Sequence, residues 1–319
     1  MDHRRRQATT LRVVATVAML AWLSGHVHLS RLRLPAAHLA TLGWLAAAVA
    51  MTLVGIALAA LRWQRVLAVL GLPTGLASLF RHHLAGLFVG NFLPTTIGGD
   101  VMRATRLSAD NGQAPASVAS VVLERLTGWL VLPVLSLVAL VVNPGLRRIA
   151  PRPAATAQLV ALATLGLLVA LLAVAASATV GRRVAGTEGW RRFTGAVHLG
   201  LARARRRPGL AFEILTAGFA YQLAVMLAAF LAARTLGLSV GWTAILAFFP
   251  IVAIIQVLPL TVGGLGTREA ALVFFLAPLG VPRADAFALG LLVYLVNVAV
   301  SLLGAPAFAL GARRAGAAA

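Results

Sequence analysis

The 319-residue chain contains no cysteine and no lysine. Without cysteine there can be no disulfide, thiolate nucleophile or thiolate-held metal. Without lysine there is no Schiff-base chemistry, and all 28 basic side chains are arginines. Acids are scarce too, at 8, and charged residues make up only 11% of the chain. A soluble domain of this length needs far more charge to cover its surface. What fills the space is apolar: 60% of residues are hydrophobic, and the mean hydropathy is +0.92. Several runs approach the ~20 residues that cross a bilayer core. These features define an all-α polytopic membrane protein. In such a chain a net charge of +20 marks cytoplasmic loops and anionic lipid headgroups, and nucleic acid is not an expected partner.

Two stretches organise the chain. The first reads Asn91-Phe-Leu-Pro94-Thr-Thr96-Ile-Gly98-Gly99-Asp100-Val-Met-Arg103, the second Gln256-Val-Leu-Pro259-Leu-Thr261-Val-Gly263-Gly264-Leu-Gly-Thr-Arg268. Leucine, proline, threonine, two glycines and arginine recur at identical spacing, and each copy has an amide three residues before its proline. Such an echo suggests a duplicated half. Each copy ends an apolar stretch with Pro and Gly-Gly, which would break a helix and leave backbone groups in need of partners. A helix starting after the glycines offers its positive end to an anion. An arginine beside each break suits a phosphate.

Around these motifs the apolar runs suggest about eight membrane segments. Arg4, Arg5, Arg6 and Arg12 precede an apolar run from Val13 to Leu23 with no A-x-A-like site, which reads as a retained signal anchor. The second span, about 38–61, ends on Arg62-Trp63-Gln64-Arg65, an interfacial aromatic with basic anchors. Broken or re-entrant helices are expected at 74–103 and 241–280. Full spans are expected at 117–142, 154–180 and 209–234, and a last one at about 284–310. Residues 269–281 suit a half-helix. The stretch 181–208 holds eight arginines and reads as a basic cytoplasmic loop. Trp190, Phe193, Val197 and Leu201 also allow a helix in the headgroup layer.

Three spans separate the motifs, so the second is inverted relative to the first. The expected organisation is one integral membrane domain over 1–319, with halves at about 38–143 and 209–312. Inverted repeats with discontinuous helices are a transporter arrangement, in which substrate binds where the breaks meet. With arginine-rich ends facing the cytoplasm, both termini are expected there.

Candidate binding residues follow from the breaks. Arg103 and Arg268 would contact a phosphate or, alternatively, snorkel to an interface. Asp100 and Glu269 would pair those arginines or read a cationic headgroup. Glu124 and Arg125, near the start of a span, are either paired intramembrane charges or anchors. Asn91, Pro94, Thr96, Gln256, Pro259 and Thr261 complete the motifs. Gly98, Gly99, Gly263 and Gly264 permit close backbone approach or tight helix packing. His82-His83 beside Arg81 reads as interfacial rather than as a proton-coupling site or a metal pair, since adjacent histidines point to different helix faces and no carboxylate is near in sequence. No nucleophile–base pair, metal-ligand motif or Walker loop is present. The expectation is a non-enzyme without cofactor or metal.

The first motif region from Gly86 to Arg103 resembles the flippase-like, lysylphosphatidylglycerol synthase transmembrane family. So do Val122-Leu-Glu124-Arg125-Leu-Thr-Gly128 and Leu258-Pro259-Leu-Thr-Val-Gly263-Gly264-Leu-Gly266-Thr-Arg268-Glu269. The resemblance covers nearly the whole chain. It implies a bacterial inner-membrane protein that moves lipids, as does the membrane domain of the multiple peptide resistance factor. Other members accompany glycosyltransferases acting on polyprenyl-linked sugars. The soluble aminoacyl-transferase domain of full synthases has no counterpart in these residues, so lysyl transfer is not expected. Glu124 stands where Asp is commoner in the family, and it keeps the charge. The implied function is movement of an anionic phospholipid or polyprenyl-phosphate-linked substrate between leaflets. The alternative is a membrane subunit or scaffold for a partner lipid-modifying or polyprenyl-phosphate glycosyltransferase enzyme.

Overall fold

The computed structural model describes residues 38–92, 98–177, 189–257, 261 and 264–309. The expected N-terminal anchor, and Pro94, Thr96, Pro259 and Gly263, lie outside them. Among the described residues the chain is all helix: α1 (Leu39–Leu70), α2 (Leu76–Phe92), α3 (Gly98–Asn111), α4 (Ala114–Val142), α5 (Gly145–Ile149), α6 (Pro151–Ala176), α7 (Gly189–Arg206), α8 (Pro208–Thr235), α9 (Trp242–Ile255), α10 (Thr267–Leu276) and α11 (Arg283–Ser301).

Five of these helices are long and apolar enough to cross a membrane: α1, α4, α6, α8 and α11. Their boundaries follow local chemistry. Helices α4, α6 and α8 each have a proline within their first two residues, where its missing N–H costs no helical bond. Helix α1 stops at Gly71, whose φ of +76° lets Leu72 N–H reach back to Leu67 O at 2.9 Å, closing the end carbonyls.

Helix α1 packs along α8, and α4 lies against both α6 and α9. The main core forms where α4, α6, α8, α9, α10 and α11 meet, around Phe248, Phe275, Ile251 and Met226. Helix α6 turns an apolar face outward, with Leu159, Leu162, Leu167, Val169, Leu171 and Val174 exposed. An apolar surface of this extent is stable against hydrocarbon and not against water.

Four sequence expectations are corrected here. Helix α1 does not end in an interfacial anchor, because Arg62 and Trp63 are buried at 4% and 0% exposure. The helix runs nine residues further, inside protein. The basic stretch before Arg207 is not a plain loop: 189–206 is helical, and Val197, Leu201 and Ala204 pack on Leu70, Leu123 and Ile214. These three side chains therefore cover protein. His82-His83 is not an interfacial pair, since His82 is bound to Asp110 and His83 faces an internal cavity, as set out below. The last long helix ends at Ser301, and a separate helical turn follows at 304–309.

Candidate functional site: a cavity between the two motifs

Each broken segment restarts as a helix with an acid in its first turn. Helix α3 begins at Gly98 and carries Asp100; α10 begins at Thr267 and carries Glu269. An acid there offsets the positive helix end. Gly264 and Gly266, with φ of +74° and +84°, make the turn into α10 in a conformation that side chains resist. Glu269 Oε2 then accepts from Gly266 N–H at 2.6 Å, and Thr261 and Thr267 share a hydroxyl bond of 2.9 Å. Thr261 and Glu269 are thus buried braces of the second break.

At the first break, α3 crosses α2 at backbone contact. A Cβ on Gly99 would stand 2.4 Å from Gly86 O, and one on Gly86 would stand 2.6 Å from Arg103 Cγ. These glycines lay Arg103 across α2, where it is 5% exposed. Its Nη2 donates to Glu124 Oε2 at 3.1 Å, and its guanidinium stacks over Trp63 at 4.3 Å. Glu124 also binds Arg62, whose Nε donates to Oε1 at 3.0 Å. Arg62 in turn lies over Tyr221 at 4.9 Å. Gly128, four residues beyond Glu124, leaves room for Arg62: a Cβ there would stand 2.4 Å from its Nη1. Asp100 pairs with Arg125 and lies 3.6 Å from Arg103. A buried carboxylate between two guanidiniums is held charged, and removing any member would strand the others.

The second motif's arginine has a similar setting. Arg268 is 6% exposed, lies 3.4 Å from Glu269 and sits over Tyr294 at 5.2 Å. Neither arginine snorkels; both are buried against an acid and an aromatic ring.

A cavity of about 370 Å³ joins the two motifs. From the first come Asn91, Gly99, Asp100 and Arg103, with Arg125 beside them; from the second come Gln256 and Arg268. The recurring amides, Asn91 and Gln256, therefore face one space, as do the recurring arginines. Three guanidiniums stand on this wall against one carboxylate, because Glu124 and Glu269 lie behind it. Asn91 Nδ2 and Arg103 Nε are buried without a hydrogen-bond partner among the described residues. Unsatisfied donors in a low-dielectric wall favour an acceptor-rich anion. A narrower apolar space of about 90 Å³ adjoins it between α1, α8 and α11, sharing His83, Leu87, Tyr221, Val225, Val293 and Asn297 with the cavity.

The structure thus brings Asn91, Gly99, Asp100, Arg103, Arg125, Gln256 and Arg268 to the cavity wall. It places Glu124, Thr261, Gly264 and Glu269 in support, while Gly98 starts α3. Sequence reasoning missed His83, Tyr221 and Asn297 on the wall and Arg62 behind it. The one usable signal was Gly128, a small residue one turn beyond a charged pair. No group of three or more His, Cys, Asp or Glu able to hold a metal occurs among the described residues.

The family model for the lysylphosphatidylglycerol synthase TM region matches residues 9–304, and the chain belongs to that family. No curated protein matches the chain.

Proposed function

We propose that this family member moves an anionic phospholipid or polyprenyl-phosphate-linked substrate between the leaflets of the bacterial cytoplasmic membrane. The phosphate is held among Arg103, Arg125 and Arg268 while the tails stay in lipid. The observation that carries this reading is the shared cavity, where the arginines of two distant motifs converge with three positive groups to one negative. With the acids behind the wall included, Arg62, Arg103, Arg125 and Arg268 stand against Asp100, Glu124 and Glu269, and a phosphate supplies the balancing charge and acceptors. The adjoining apolar space suits the first carbons of an amphiphile. The two breaks act as opposed halves of one carrier, with the arginine-rich 181–208 segment and both termini on the cytoplasmic side.

The test is leaflet accessibility of labelled phosphatidylglycerol, aminoacylated phosphatidylglycerol and a polyprenyl-phosphate sugar in proteoliposomes. The expected result is movement of at least one lipid by the intact protein and none by the Arg103→Ala, Arg268→Ala double variant. If none moves above empty liposomes while one still binds, translocation is refuted. The protein then serves a partner lipid-modifying enzyme.

A further inference from the structure

His83 lies on the wall of both the polar cavity and its apolar neighbour. Its Nδ1 is buried and has no hydrogen-bond partner among the described residues. The adjacent His82 points elsewhere: its Nε2 is 2.7 Å from Asp110 Oδ2 and 3.3 Å from Ser78 Oγ. Of two consecutive histidines, one is tied to α3 away from the cavity and the other is left open to it.

The groups around His83 come from every helix that closes the site. Arg62 stands on α1, Arg103 and Asp100 on α3, Glu124 and Arg125 on α4, and Arg268 on α10. The phenols of Tyr221 and Tyr294 complete the ring from α8 and α11, and Arg81 and His82 share its own helix. The acids are already engaged: Glu124 by Arg62 and Arg103, Asp100 by Arg125 and Arg103, and Glu269 by Gly266 N–H and Arg268. Among the described residues on the cavity wall, that leaves the His83 imidazole as the group whose charge a bound anion can change.

Burial of the ring, and after it the guanidiniums of Arg103, Arg62 and Arg125, keep the imidazole neutral while the cavity holds no anion. A phosphate entering among them reverses the balance, because a nearby negative charge favours the protonated imidazole. We propose that His83 is a proton site coupled to the anion site: the ring takes one proton from water as a phosphate enters and returns it as the phosphate leaves. The inference rests on the anionic-substrate reading above. By linkage the proton strengthens phosphate binding as much as the phosphate strengthens proton binding. A loaded site then carries a proton with its lipid, so a proton gradient can bias the direction of movement without a nucleotide.

The sign follows directly. The bound state holds more protons, so affinity rises as pH falls through the range of His83. One linked proton gives at most about tenfold per pH unit. A phosphodiester keeps its single charge throughout that range, so the ligand does not contribute.

The experiment uses the full chain in phosphatidylcholine nanodiscs, titrated with short-chain phosphatidylglycerol in weakly buffered solution at about pH 5 with a pH-sensitive dye. The expected result is net proton uptake on binding, at most about one per bound lipid, lost in His83→Gln, which binds more weakly, and retained in His82→Gln. Binding without uptake in the unaltered protein overturns the coupling and leaves the anion site standing, as does uptake that survives in His83→Gln. If His83→Gln does not fold, the affinity of the unaltered protein between about pH 4 and 7 decides: a flat profile overturns the coupling. If neither phosphatidylglycerol nor a polyprenyl phosphate binds at all, the anionic-substrate reading fails and takes this one with it.

Discussion

Arg103 and Glu124 form a buried ion pair, Nη2 to Oε2 at 3.1 Å, that ties the first broken helix to the following transmembrane helix. The carboxylate also holds Arg62, so a single acid compensates two buried guanidiniums. Replacing Glu124 by Gln leaves Arg62 without its acid and Arg103 with only the longer Asp100 contact at 3.6 Å. The expected cost is about 3–5 kcal/mol, read as a lower thermal midpoint in nanodiscs. Glu124→Asp keeps the charge and should fall between the two. An unchanged midpoint for Glu124→Gln would show that water reaches the pair.

The crossing of α2 and α3 predicts an asymmetry between glycines. Gly99→Ala drives a methyl group to within 2.4 Å of Gly86 O, a backbone atom that cannot move aside alone, and should destabilise by about 1–3 kcal/mol. Gly90→Ala meets Gly99 Cα only at 3.6 Å, an ordinary contact, and should be close to neutral. Equal midpoints for the two variants would contradict the crossing.

Arg268→Gln removes a guanidinium from the cavity wall while leaving the Arg62–Glu124–Arg103 cluster intact. A hydrogen bond to a charged group contributes about 1.5–3 kcal/mol, so affinity for an anionic lipid should fall by about ten- to a hundredfold. The thermal midpoint should change less than in Glu124→Gln. Unchanged affinity would place the phosphate elsewhere.

Arg106 ties Ala307 and Phe308 to α3. Its guanidinium donates to Ala307 O and Phe308 O, each at 2.7 Å, and rests over the Phe308 ring. Arg106→Ala should release residues 304–309 and raise the rate of limited proteolysis there. An unaltered digestion pattern would mean that the close seat of Gly304 on Leu84 O suffices.

Much of this molecule could be read along the chain. The ranges expected for three spans, 117–142, 154–180 and 209–234, match α4, α6 and α8 closely, because a bilayer demands length and apolarity and both are local properties. The half-helix near 269–281 was legible for the same reason. The paired motifs pointed to Arg103 and Arg268, since identical residues at identical spacing need no third dimension to be noticed.

Arg62 and His83 were misread, and the reason is physical. An arginine followed by tryptophan at the end of an apolar run looks alike whether it snorkels to an interface or turns inward. The difference is a carboxylate 62 residues away and a glycine on the same distant helix that makes room for it. His82 looked partnerless because its acid, Asp110, is 28 residues on and reaches it only once α3 folds back along α2. Composition and periodicity by themselves determined that this chain lives in a membrane and which stretches are long and apolar enough to cross it. Which charges face one another was decided by the tertiary structure alone, because in a low-dielectric interior a charge is stable only beside a partner, and partners are chosen by packing across the chain.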